Sequence, residues 1–139
     1  QLGVYLSTLI NGGNRYAAHQ LLRVRDFTTR TDTYTAEPKL LSSFPLDASV
    51  RDEVMAGMRA AVTESAGVSR YMAGLPFAVA GKTGTAQTGA RTDNGLFVCC
   101  APASDPGIAV ATVIEKAGGG SYAALSAARI LEAYANKRE

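Results

Sequence analysis

A chain of 139 residues, 47% hydrophobic and 19% charged, is long enough for one globular domain and too apolar for a disordered segment. Its 14 basic and 12 acidic residues leave a formal charge of +2 with no basic stripe, which argues against a nucleic-acid partner. No apolar run approaches the roughly 20 residues that span a bilayer, and one His with two adjacent Cys gives no zinc-ligand spacing, so no metal is expected.

The opening Gln1-Leu2-Gly3-Val4-Tyr5-Leu6 reads as the middle of an amphipathic helix and carries no signal-peptide pattern, so a truncated polypeptide is expected. That first helix covers residues 2–10 and stops at Asn11-Gly12-Gly13, residues that tolerate a left-handed backbone. From Tyr16 through Phe27 and on to Thr35, two strand-like arms are expected around a turn near Arg30-Thr31-Asp32.

A second helix is expected from about Ser49 to Ser65, with the Ser49 hydroxyl as its cap. Val50, Val54, Met58, Ala61 and Val62 form its apolar stripe, which reads as core. After Ala66-Gly67 and a short link come three apolar stretches at 77–87, 95–101 and 107–115, separated by polar turns. They predict an antiparallel three-strand meander. Cys99 and Cys100 are successive residues of the middle strand, so their side chains point to opposite faces and they should pack rather than pair. Gly118-Gly119-Gly120-Ser121 opens a last helix with Ala124, Leu125, Ala128, Leu131 and Ala135 on one face. The fold class is α+β, an antiparallel sheet packed with helices.

One segment asks for a chemical explanation. Gly81-Lys82-Thr83-Gly84-Thr85-Ala86-Gln87 places a lysine and two hydroxyls on a strand whose glycines leave room for a second backbone. An extended peptide could add to such an edge, with Lys82, Thr83 and Thr85 holding its carboxylate. A phosphate-binding loop is the rival, because Gly81-Lys82-Thr83 matches the end of G-x-x-x-x-G-K-[ST]; but Pro76 occupies the position of its first glycine, and Gly84-Thr85-Ala86-Gln87 opens a helix poorly. An ordinary strand with a surface lysine is the bland alternative.

The order of these elements resembles a portion of the transpeptidase domain of class B penicillin-binding proteins, the C-terminal portion. The resemblance is carried by Gln1 through Gly13, Gly81 to Gln87, Phe97-Val98-Cys99-Cys100-Ala101-Pro102, and Ile108 through Gly120. It implies a partial transpeptidase fold in a bacterial, extracytoplasmic, membrane-anchored parent whose anchor lies upstream, and no cofactor. It further implies peptidoglycan stem peptide and β-lactams as ligands of the complete domain. The family combines three motifs, S-x-x-K, an S-x-N type and K-T-G. By the resemblance Lys82 would interact with the serine of the second motif, and Thr83 and Thr85 would bind the terminal carboxylate. The Thr85 N–H would be an oxyanion donor, and Gly84 would keep the strand clear for substrate.

The sequence departs from the family in one respect: none of the nine serines, Ser7 to Ser126, has a lysine three positions on or an asparagine two positions on. Tyr134-Ala135-Asn136 matches a Y-x-N variant but follows Lys-Thr-Gly, the wrong chain order, and reads as a helix end. Ser65 and Ser69 have no evident base, and His19 reads as a surface or strand residue. The chain alone is therefore expected to be inactive. A β-lactam-sensing receptor, a serine β-lactamase and a noncatalytic binding module are the alternatives. In the family's topology the strand at Ile108–Ile114 pairs with upstream sequence, so the isolated chain is expected to self-associate through that edge or the uncovered sheet face.

Overall fold

The computed structural model describes residues 1–89 and 91–137. Helix α1 (Leu2–Ile10) ends as expected, with Gly12 and Gly13 at φ of 80° and 98°, a region glycine enters without steric cost. Asn11 then brackets the next residue but two, its Nδ2 donating to the Asn14 carbonyl at 2.8 Å while its Oδ1 accepts from the Asn14 N–H at 2.9 Å. This fixes the start of β1 (Asn14–Tyr16), which pairs antiparallel with β4 (Leu40–Ser43).

Between those two strands the chain makes a separate hairpin, β2 (Arg23–Arg25) with β3 (Asp32–Thr35). The two arms around a turn are therefore present but shorter than expected, and Asp32 lies in a strand instead of the turn. The reason is local: Asp26 Oδ1 accepts from the N–H groups of Thr28 and Thr29 at 2.9 and 2.7 Å, so the reversal begins there, and Arg30 closes it at φ 60°. Across the hairpin Arg25 Nε donates to Asp32 Oδ1 at 2.6 Å.

Helix α2 runs from Ala48 to Thr63 and its cap is Asp47, not Ser49. The Asp47 carboxylate accepts from both the N–H and the hydroxyl of Ser49 at 2.7 Å, which satisfies a first-turn donor that Ser49 could not reach from within the helix. The buried stripe matches the expected one at Met58 and Val62 and departs from it at its N-terminal end. Met55 and Val62 are buried and Met58 packs beside them, whereas Val50 and Val54 are 53% and 41% exposed. At about 100° per residue Val54 stands roughly a quarter turn away from Met55, off the face that meets the sheet. The segment expected as a link forms a short helix, α3 (Ala66–Met72), which buries Val68 and Met72.

The meander is as expected, with the outer strands shorter at both ends and the middle one a residue longer: β5 (Ala80–Ala86), β6 (Asn94–Ala101) and β7 (Ile108–Ile114), in the order β5-β6-β7 and antiparallel throughout. Phe77–Val79 approach as a loop, because the Ala78 carbonyl is taken by the Ala103 N–H at 2.8 Å and not by a strand partner. Helix α4 (Gly120–Asn136) covers one face, burying Ala123, Ala124, Ala127, Ala128 and Leu131. Leu125, expected on that face, is 38% exposed, since the small-residue pairs 123/124 and 127/128 take the contact and turn it outward.

The sheet thus separates two cores. Phe97, Cys99, Ala101 and Val110 meet α4, together with Val62, Val68 and Met72, while Ala80, Cys100 and Ala103 meet Leu6 of α1 and Met55 of α2. Cys99 and Cys100 lie on opposite sides, both unpaired and both fully buried, as strand alternation requires.

Candidate functional site

The Gly81–Gln87 segment forms most of β5, one of the two edge strands of the three-stranded sheet. Its side toward β6 is paired without a bulge, from Ala80 opposite Cys100 to Ala86 opposite Asn94. No other strand of the described residues hydrogen-bonds its far side. The segment runs on as strand after Thr83, so the helix that a phosphate-binding loop needs does not follow.

Alternation sorts the side chains of this strand. Thr83 and Thr85 lie opposite Phe97 and Gly95 and share the α4 face; Lys82 and Gly84 lie opposite Val98 and Leu96, on the α1/α2 face. Lys82 therefore stands on the face of the strand opposite to Thr83 and Thr85. The lysine is long enough to return to the backbone, and its Nζ donates to the Thr83 carbonyl at 3.1 Å. Lys82 and Thr85 are exposed, and Thr83 and Gly84 half-buried. Among the described residues neither threonine hydroxyl has a hydrogen-bond partner in the protein, so both stand available on the same side of the strand.

The N-terminal end of α4 is pressed against this strand, a feature that sequence reasoning did not find. A Cβ at Gly120 would stand 2.6 Å from the Leu96 carbonyl oxygen, 2.8 Å from the Thr83 Cβ and 2.9 Å from the Gly84 carbonyl oxygen. Gly120 thus fixes the distance between helix and strand. The run Gly118-Gly119-Gly120 opens the last helix as expected, and the signal for close contact was a glycine at the helix start, where a side chain would ordinarily be favoured. On the core side Gly81 lies under the Phe97 ring, so the start of the strand is locked while its end is exposed.

The other residues weighed as candidates are not brought to this strand. His19 is exposed in the loop after β1. Ser65 and Ser69 belong to the start and middle of α3, and Tyr134-Ala135-Asn136 to the last turns of α4, where the Tyr134 ring packs edge-on against Phe77 at 6.4 Å. Concavities of the described residues lie elsewhere, among them a polar cleft of about 530 Å³ between α2 and the loop after β6, and an apolar groove of about 750 Å³ between α1 and the β1/β4 pair. Neither includes a β5 residue, and β5 presents an open edge instead of a cavity.

An edge strand with a lysine and two hydroxyls that have no partner among the described residues, backed by a helix, is what this α+β fold displays. The family model of the penicillin-binding protein transpeptidase domain matches residues 1–134, and the chain belongs to that family. Penicillin-binding protein 2A of Bacillus subtilis (strain 168) is 31% identical over 128 residues, covering 82% of this chain and 18% of that protein. Penicillin-binding protein 2 of Pseudomonas aeruginosa, solved with WCK 5153, is 28% identical with a TM-score of 0.72 over 92% of this chain and 28% of that one. Penicillin-binding protein A of M. tuberculosis, solved as its imipenem acyl-enzyme complex, shares the fold at 21% identity, with a TM-score of 0.78 over 95% of this chain and 29% of that one. The chain therefore spans less than a third of the length of each.

Proposed function

We propose that this chain is one portion, residues 1–139, of the transpeptidase domain of a peptidoglycan D,D-transpeptidase, and that it supplies the strand on which stem peptide and β-lactams are bound. The observation that carries the reading is the free β5 edge, with the Thr83 and Thr85 hydroxyls available on one side and Lys82 reaching back over the backbone. Its membership of the family and the β-lactam complexes named for two of its structural neighbours support it.

In this reading an extended acyl donor adds to β5 by main-chain hydrogen bonds, and the two hydroxyls donate hydrogen bonds to its terminal carboxylate. The Thr85 N–H is one donor to the oxyanion that forms when a serine attacks the carbonyl. A single such donor is worth about 10²–10³ in rate. Lys82 lies where a cation would favour proton transfer between serines of the two other motifs. Those motifs, S-x-x-K and S-x-N, are not in this sequence. The serine they supply would bond to the acyl carbon as D-Ala leaves, and an acceptor amine would then displace the serine.

Two consequences follow. The 139-residue chain by itself is inactive, and activity needs the remainder of its own domain. The parent acts on the outer side of a bacterial membrane; no described helix of this chain is long and apolar enough to cross one. Intact-mass spectrometry after incubation with a penicillin tests the reading. The chain alone should gain no mass, whereas the same chain joined to the S-x-x-K and S-x-N segments of its domain should gain one acyl group. A covalent adduct on the chain alone would overturn it.

A further inference from the structure

The end of β5 that carries Thr85 lies level with Gly95 of β6 and Ile114 of β7, so the loop after β5 and the link from β7 to α4 leave the sheet at the same end. The two are tied together there. The Lys116 N–H donates to Asn94 Oδ1 at 3.0 Å, and the Gly118 N–H donates to the Asp93 carbonyl at 2.9 Å. Beyond these bonds the link lies against β6: a Cβ at Gly95 would run into the Gly119 carbonyl and would stand 3.2 Å from the Ala117 Cβ. A glycine inside a strand marks such a close approach of a second backbone.

Lys116 carries an exposed side chain on a backbone at φ 58°, a conformation that residues other than glycine seldom adopt. Such a backbone persists only where its surroundings over-determine it. The side chain that holds it is Asn94, whose amide oxygen takes the Lys116 N–H just past the last strand pair, Ile114 with Gly95. From Lys116 the link runs through Gly118, at φ 74°, to Gly120, which is seated against Thr83 and the Gly84 carbonyl. We infer that Asn94 is a positioning residue for acyl transfer, an inference that rests on the reading of β5 as the binding strand. By keeping Lys116 left-handed it sets where the start of α4 meets β5, and so where the Thr83 hydroxyl and the Thr85 N–H stand. It acts through the link and not by touching the ligand.

The rate constant for acylation of the complete domain by a penicillin, recorded together with the final amplitude, tests this. Asn94→Ala should lower the rate constant about threefold to tenfold, as loss of one neutral hydrogen bond allows, with the amplitude complete. A merely structural role would instead lower the amplitude, which counts folded molecules, and leave the rate constant at its native value. Asn94→Asp keeps an oxygen acceptor for the Lys116 N–H and should stay close to the native rate. Adding Lys116→Gly to Asn94→Ala should recover most of the loss, because glycine takes a positive φ without support. A native rate constant in Asn94→Ala, where Thr83→Val and Thr85→Val slow acylation, overturns the inference and leaves the reading of β5 standing. So does a slowing that Asn94→Asp shares or that Lys116→Gly leaves uncorrected. Native rates in all three single variants would remove the reading of β5 and this inference with it.

Discussion

Cys99 and Cys100 show what a single step along a strand does to two identical side chains. Each is buried in a different core, and burial pushes the Cys99 thiol up to about 12 and the Cys100 thiol up to about 11, the neighbouring Cys100 adding to the effect at Cys99. Thiolate is the reactive form, so neither should react with a thiol reagent at pH 8 until the chain unfolds; labelling rates with and without denaturant check this. The ionisation also opposes folding at high pH. Both groups keep their protons in the folded state above the ordinary value of 9.0, where the unfolded chain loses them, so stability is intact below pH 9 and falls between about 9 and 12. The opposed placement of the two cysteines was legible in the sequence because strand alternation depends on nothing else. The same rule puts Lys82 on the face opposite to Thr83 and Thr85, and its length lets Nζ return to the Thr83 carbonyl.

Elements were legible wherever local chemistry decides them. Gly12 and Gly13 end α1, and polar turns separate three apolar strands. What failed was orientation. Of the α2 stripe drawn by spacing alone, Met58 and Val62 do face the core, while the sheet adds Met55 and leaves Val50 and Val54 in the open. Short elements also escaped: α3 is seven residues beginning next to a glycine, and the β1/β4 pair joins three residues to four across 23 others, too little pattern to be read without the fold. Two substitutions test how these elements are held. Asp47→Ala removes the acceptor for both Ser49 donors and should lower the thermal midpoint by a few degrees, with helical content lost at the start of α2. Gly120→Ala forces a methyl against Leu96, Thr83 and Gly84 backbone and side chain; it should cost about 1–3 kcal/mol by overpacking in denaturant titration. Because it shifts the helix against β5, it should also reduce acylation of the complete domain.

At the scale of the molecule, one sheet carries two edges of opposite character. The β5 edge, with glycines, a lysine and free hydroxyls, suits a polar extended ligand; the β7 edge, apolar and uncharged, suits another strand. Helices α1 and α2 on one face and α4 on the other hold both edges in a single rigid unit, so a ligand on β5 meets a backbone already fixed by β6. The family was legible because Gly-Lys-Thr-Gly-Thr-Ala-Gln combines residues that no ordinary strand requires together. The position of β7 at the other edge was legible only in part, since it depends on the strand order of the folded sheet.

The measurement that most directly tests the role assigned to β5 is the rate of acylation by a penicillin of the complete domain, native against Thr83→Val and Thr85→Val. Each hydroxyl is assigned a hydrogen bond to a carboxylate, worth about 1.5–3 kcal/mol, so each substitution should slow acylation roughly 10- to 100-fold while the folded spectrum stays the same. Rates unchanged in both variants would contradict the account, because the two hydroxyls would then have no part in holding the ligand.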